Sequence, residues 1–307
     1  MTPTASPAPA MEIGSPAWAK LATASKVSAM VGVSPWESPF SLWQRMAGRL
    51  PWDVDSNDEE RRGHYLEPAI RQWYREHQPT YRVEKNTTTW INHERPWQAA
   101  SPDGLLYTRD DEPVMAGGFE AKSDNKGWEW GTEDTDEVPP HYRVQGLWQM
   151  DTLGLPFVDF AVLDGALTFR RYHLEYDPTE ARELREQVRD FMDSVIAGRQ
   201  PSLDSHGATY TALRSLHPDI EDTTVELDRA DALDFIGAVR DLEVAQEALT
   251  AATSRIAAAT GNARRAQLMP EHLTVATRIS KAGGTPFLRR SNGLTDKYRI
   301  SQQKEAS

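Results

Sequence analysis

Ser101-Pro102-Asp103-Gly104-Leu105-Leu106-Tyr107 and Gly117-Gly118-Phe119-Glu120-Ala121-Lys122 are the two runs on which the architecture of this chain turns. They flank a polar turn at residues 109–113 and suit a β-hairpin. If the hairpin closes about the middle of that turn, opposed residue numbers sum to 223, so Leu106 faces Gly117 and Asp103 lies opposite Glu120. Side chains alternate across a strand, which puts Glu120 and Lys122 on one face. Alone, a Glu-x-Lys triplet is what any solvent-facing charged strand produces, and Asp103-Gly104 is an ordinary turn pair. Their joint occurrence at hairpin-compatible spacing is what points to chemistry. Two adjacent carboxylates repel unless a divalent cation neutralises them, and a lysine one step along can hold or polarise a water near it. The donors are all oxygens, which favours magnesium or manganese over zinc.

Toward the N-terminus, residues 24–31 read as a short helix with Ser25 as N-cap, ended by the turn Val33-Ser34-Pro35-Trp36. A second helix, 40–47, stops at Gly48. Residues 58–77 place Ile70, Trp73, Tyr74 and His77 on one helical face, while Pro68 demands a kink or a fresh start; Glu67 precedes that break. Residues 87–91 are β-branched and strand-like. Trp128 and Trp130 fall in a loop ending at Pro139-Pro140, where they can stack on unpaired bases or pack onto their own domain. Residues 141–152 read as a helix closed by Gly154, and 157–163 pairs with 167–176 through a type I′ turn at Asp164-Gly165. Asp177-Pro178 starts a helix reaching Ala197-Gly198, with Leu184, Val188, Phe191, Met192 and Val195 as its core stripe.

After Pro201 the composition shifts. The predicted organisation is a flexible leader (1–12), an α/β domain (13–200), a polar linker (201–228) and a helical extension with a basic tail (229–307). From Arg229 a long helix sets Phe235, Leu242, Leu249 and Ile256 at heptad position a and Ala238, Ala245, Ala252 and Ala259 at d. Alanine at every d lets a partner helix approach closely, either the helix's own neighbour or another subunit's. Residues 275–279 and 298–300 look β-like.

The chain has 307 residues, 39% apolar, with ten Trp, enough to fill a core. It has no cysteine, which excludes disulfides, thiolate zinc sites, a thiol nucleophile and Cys-ligated clusters. No run approaches the roughly 18 apolar residues of a membrane span, and residues 1–10 lack the basic start and apolar core of a secretory signal. Net charge is −12, which repels nucleic acid unless positive charge is gathered locally. Acids crowd 53–60, 110–112, 133–137 and 219–228. Residues 277–307 instead hold seven bases against two acids, which suits a polyanion, an acidic partner surface or a solvated end.

Ser101-Pro-Asp-Gly104 followed by Phe119-Glu-Ala-Lys122 resembles the PD-(D/E)xK nucleases. Thr23-Ala-Ser25-Lys-Val-Ser, Gly63-His-Tyr-Leu-Glu67-Pro and Pro139-Pro-His-Tyr142-Arg-Val-Gln145, the last opening an amphipathic helix, narrow the resemblance to the phage lambda exonuclease and YqaJ-type viral recombinase group. The resemblance covers residues 13–198. It implies an α/β fold: a PD-(D/E)xK nuclease core with a mixed central sheet flanked by helices, the metal site at the sheet edge, and a helical C-terminal extension. By resemblance, Asp103 and Glu120 would bind catalytic Mg2+, for which Mn2+ would substitute, with the Ala121 carbonyl as a further ligand and Glu67 completing the cage. Lys122 would activate the attacking water, and Gln145 would support it. Ser25 would grip a terminal 5′-phosphate together with Lys20, which stands where relatives often carry an arginine, and Tyr142 would add a DNA contact.

The activity so implied is a magnesium-dependent, 5′ to 3′ exonuclease on double-strand DNA in phage recombination. Its partners would be a single-strand annealing protein and further copies of itself in a ring, in the cytoplasm of an infected or lysogenic bacterial host. The alternatives are a sequence- or structure-specific endonuclease on the same fold and a non-catalytic nucleic-acid-binding module. Relatives with an iron-sulfur cluster are excluded by the absent cysteines.

Overall fold

A computed structural model describes residues 4–9, 11–12, 14–52, 58–124, 130–281 and 283–305, so Trp128 lies outside the described residues. Two compact units divide the chain, Met1–Ile220 and Glu221–Ser307. The first runs β1 (Ala5–Ala8), α1 (Pro16–Ala19), β2 (Ala22–Thr23), α2 (Ala24–Met30), α3 (Pro39–Met46), α4 (Asp58–His77), β3 (Arg82–Lys85), β4 (Thr89–Asn92), β5 (Gln98–Ala100), β6 (Gly104–Tyr107), β7 (Met115–Asp124), α5 (Pro140–Leu153), β8 (Phe157–Asp164), β9 (Phe169–Glu175), α6 (Pro178–Ile196) and α7 (Gly207–Leu216). The second runs α8 (Arg229–Thr260), β10 (Arg265–Leu268), β11 (Leu273–Ile279), β12 (Phe287–Arg290) and α9 (Leu294–Glu305).

The β6–β7 hairpin forms in the expected register: Leu106 faces Gly117, Leu105 faces Gly118, and Gly104 faces Phe119, with a bulge beyond Leu106. β7 then pairs in parallel with β8 from Gly118 to Asp124, while β3–β6 and β8–β9 are antiparallel. The result is a five-stranded mixed sheet, β3-β6-β7-β8-β9, beside a four-stranded sheet, β1-β4-β5-β2. Crowding explains the Gly117-Gly118 pair. A Cβ on Gly117 would stand 2.5 Å from the Phe157 ring, and one on Gly118 2.8 Å from Val158.

Helices cover both faces of the mixed sheet. On one, Ile70 and Tyr74 of α4 pack with Phe119, Leu106 and Val83. On the other, α5 packs with Phe160, Tyr172 and Leu174, backed by α2 and α6. Gly146 allows this approach, since its Cβ would meet Phe160 at 2.9 Å. The sequence reads α5 as amphipathic, but the helix is buried nearly all round, Trp148, Met150 and Leu153 together with Gln149, Asp151 and Thr152. A helix enclosed on every side has no solvent face to mark with polar residues, and its own find internal partners for all but the Gln149 Oε1 atom.

Three local expectations are corrected and one, at Pro68, is narrowed. The N-cap of α2 is Thr23, not Ser25, because Thr23 keeps the extended backbone of a cap (φ −84°, ψ 153°) while Ser25 lies inside the helix. α4 runs through Pro68 as one element. Pro68 and His64, whose carbonyl loses its partner there, are both exposed, so water can satisfy it. The β8–β9 turn is not a two-residue type I′ turn at Asp164-Gly165. Asp164 Oδ1 accepts from the amides of Ala166 and Thr168 at 2.9 Å, and the left-handed residue is Leu167 (φ 63°), as in a three-residue loop. Finally, the stretch read as linker contains α7, whose Ala212 packs on Phe40 and Leu50.

In the second unit α8 ends at Gly261 as expected. Between the two helical stretches lies an antiparallel sheet, β10-β11-β12, foreseen only at β11. Residues 298–300 are helical, within α9. Among the described residues no helix is long and apolar enough to cross a membrane.

Candidate active site

Strand length creates the site. β6 begins at Gly104, whereas β7 runs on to Asp124, so one edge of β7 is uncovered from Glu120 onward and Asp103 turns in beside it. Asp103 Oδ2 accepts from the Ala121 amide at 2.9 Å, and the Asp103 amide donates to Glu120 Oε1 at 3.3 Å. A strand residue's N–H and C=O share a side, so the Ala121 carbonyl faces that edge too.

Glu120 points to the α5 face and is 1% exposed. Its Oε2 accepts from Lys122 Nζ at 2.5 Å and Gln145 Nε2 at 3.1 Å; its Oε1 accepts from Gln149 Nε2 at 2.6 Å. Gln149 was not singled out from the sequence. The signal was its position one turn beyond Gln145, but only the fold shows that both amides converge on one carboxylate. Among the described residues Gln149 Oε1 has no hydrogen-bond partner.

Burial and the neighbouring Glu120 push the Asp103 carboxyl up to about 7, against the pull of Lys122 and the Ala121 amide. Burial works against charge on Lys122 as well, yet Glu120 and Asp103 outweigh it and hold the ammonium above its ordinary value. Lys122 Nζ also lies 5.0 Å from the centre of the Tyr142 ring. Tyr142 stacks on Trp130 at 5.3 Å, and Trp130 is buried against Phe160 and Tyr172, which settles its alternatives in favour of packing onto its own domain.

Glu67 comes from α4, across the sheet from α5, and its Oε1 accepts from Arg71 at 2.6 Å. It adds to the field that discourages charge on Asp103. Among the described residues no group of three acidic or imidazole side chains is spaced to hold an ion, so Glu67 is not gathered with Asp103 and Glu120 into a cage. The oxygens that do share the β7 edge, from Asp103, Glu120 and the Ala121 carbonyl, fit a hard divalent cation, which would also relieve the repulsion between the carboxylates.

Lys20 and Ser25 are both exposed; Lys20 caps the end of α1, and Ser25 Oγ lies 3.0 Å from Thr23 Oγ1. Next to Ser25 the structure adds Lys26, which sequence reading passed over. Its Nζ donates to the carbonyls of Trp18 (2.7 Å) and Leu21 (2.9 Å) and sits 3.5 Å from the centre of the Trp18 ring. Burial lowers its pKa to about 7, with Glu37 pulling the other way. Lys26 thereby staples the segment that carries Lys20. Trp148 of α5 in turn donates to the Ala22 carbonyl at 3.0 Å, tying this segment to the helix of Gln145 and Gln149.

Residues 17–155 match the YqaJ-like viral recombinase domain. The chain is 22% identical over 200 residues to YqaJ of Bacillus subtilis (strain 168), covering 64% of this chain and 60% of that protein's length. Among solved structures it is similar to an alkaline exonuclease, LHK-Exo, from Laribacter hongkongensis, with 19% identity, a TM-score of 0.42, and coverage of 65% of this chain and 95% of that one. The same enzyme in complex with dAMP gives 18%, 0.44, 66% and 96%. The match to the YqaJ-like viral recombinase domain spans the β6–β7 edge and α5.

Proposed function

We propose that the chain is a magnesium-dependent exonuclease on double-strand DNA, running 5′ to 3′ and exposing a strand for a single-strand annealing partner. The observation that carries this reading is the convergence of Asp103, Glu120 and Lys122 at the uncovered end of β7, where a buried and a half-buried carboxylate lie together beside an ammonium. A bound cation would supply charge neutralisation at the scissile phosphate and a more acidic water. The chain's own residues do the rest. Gln145 and Gln149 hold the Glu120 carboxylate in one rotamer, and Lys122 keeps its proton and presents it to water or to a phosphate oxygen. The Asp103–Ala121 contact locks the second carboxylate to the strand. Lys20 and Ser25 are the proposed grip on a 5′-phosphate, and a ring of copies would concentrate positive charge around the duplex.

The test is end-labelled linear duplex and supercoiled circle, each with magnesium and with chelator. Linear DNA should be shortened only with magnesium, and the circle left closed; cleavage of the circle would make the chain an endonuclease instead. Asp103→Ala or Glu120→Ala should lower cleavage by about 1,000-fold or more with the fold retained. Wild-type rates in either variant would overturn the assignment.

A further inference from the structure

The basic tail is not a tail but a folded sheet, and its arginines are in register. In the antiparallel pairing Arg265 of β10 stands opposite Thr277 of β11, which stands opposite Arg289 of β12. These three side chains therefore share one face in a row across the sheet. The opposite face carries Ala266, Ala276 and Leu288 together with Arg278 and Arg290; Ala276 is buried and Ala266, Arg278 and Leu288 half-buried where the strands meet α8 and α9, while Arg290 at the β12 edge is exposed. The Arg265–Arg289 face is the one turned away from the buried Ala276, and both arginines are exposed. Among the described residues neither forms an ion pair or a side-chain hydrogen bond. Residues 264–305 hold nine lysines and arginines against three acids, in a chain of net charge −12.

We infer that the Arg265–Arg289 face of β10-β11-β12 is a duplex-DNA binding surface, separate from the β7 edge. The dimensions agree. Outer strands of a three-stranded sheet lie about 10 Å apart, close to the roughly 12 Å width of a major groove. Arg265 and Arg289 on the outer strands would meet the phosphates on the two rims, and Thr277 between them would face base edges. An acidic protein surface is the less suitable occupant, because it offers no repeat that matches two cations held at a fixed spacing across a β-sheet. β10 and β12 are also sheet edges, where charge discourages strand pairing with other chains; that role alone would leave DNA affinity untouched.

The inference does not rest on the proposed nuclease activity, and its test avoids both cleavage and DNA ends. Binding of the full-length chain to covalently closed circular duplex is measured by filter retention in chelator over a series of salt concentrations. Arg265→Gln/Arg289→Gln should weaken binding roughly tenfold and make the log–log salt slope shallower by about 2. The same charge change on α6, Arg182→Gln/Arg189→Gln, should alter affinity less than about twofold, since net charge alone acts weakly through screening. Arg265→Lys/Arg289→Lys keeps both charges and should keep the slope. Unchanged affinity and slope in the Gln pair would overturn the inference. So would an equal loss in the Lys pair, which would trace the effect to the fold of the sheet, or an equal loss in the α6 pair.

Discussion

Lys26 is the residue whose ionisation most clearly reports its surroundings. Its pKa in the folded chain is lowered to about 7, whereas unfolded it returns to the ordinary lysine range near 10.5. Between those values the unfolded chain binds the extra proton, so stability rises with pH through this window, by up to about 1.4 kcal/mol per pH unit. Lys26→Met should remove that slope and be the more stable form relative to wild type below pH 7. Urea titrations of both proteins at pH 6.5, 7.5, 8.5 and 9.5 check this, and parallel curves would refute it. Asp103 and Glu120 were legible in the sequence because hairpin register is a local rule that brings distant numbers together. Lys26 and Gln149 were not, since nothing local distinguishes a buried lysine or glutamine on a helix from a solvated one; their positions follow from what packs over them.

At the scale of the element, α5 couples stability to chemistry. Gly146 sits so close to β8 that a side chain there has to push the helix away: its Cβ would stand 2.9 Å from Phe160 and 3.2 Å from Leu174. Gly146→Leu should lower stability by about 1–3 kcal/mol through overpacking. It should also reduce single-turnover cleavage more than DNA binding, because Gln145 and Gln149 would withdraw from Glu120. Thermal melting and single-turnover kinetics test both halves; loss of stability with normal turnover would show that the two amides are not needed in place. Elements with explicit ends were readable: α6 from Asp177-Pro178, α5 from Gly154, and β6–β7 from its polar turn. α7, β10 and β12 were missed because each is short, with too few apolar residues to set a period, and each is held by contacts outside its own sequence. α7 depends on Phe40 and Leu50, and β12 on pairing with β11.

Across the whole molecule, the boundary at Ile220 and Glu221 gives a sharper cut than the one the composition shift indicates, because α7 belongs with the first unit. Truncation after Ile220 should leave a folded protein that retains magnesium-dependent cleavage at high concentration yet holds closed circular DNA less well. The same cut also removes the exposed apolar side chains of α8, Phe235 at 71% and Leu242 at 69% exposure, so the truncated chain should associate less in sedimentation. Unaltered DNA retention and association state would assign the second unit some other purpose. The exposed arginine row also has a practical side. A sequence pI of about 5.2 recommends an anion-exchange column at neutral pH, yet the row is itself an anion exchanger's ligand in miniature. The intact protein should be held by heparin at a pH where its net charge says it ought to flow through. Co-purified nucleic acid would then ride on that face, and an early high-salt wash becomes the step that decides whether later binding curves describe the protein or its passenger.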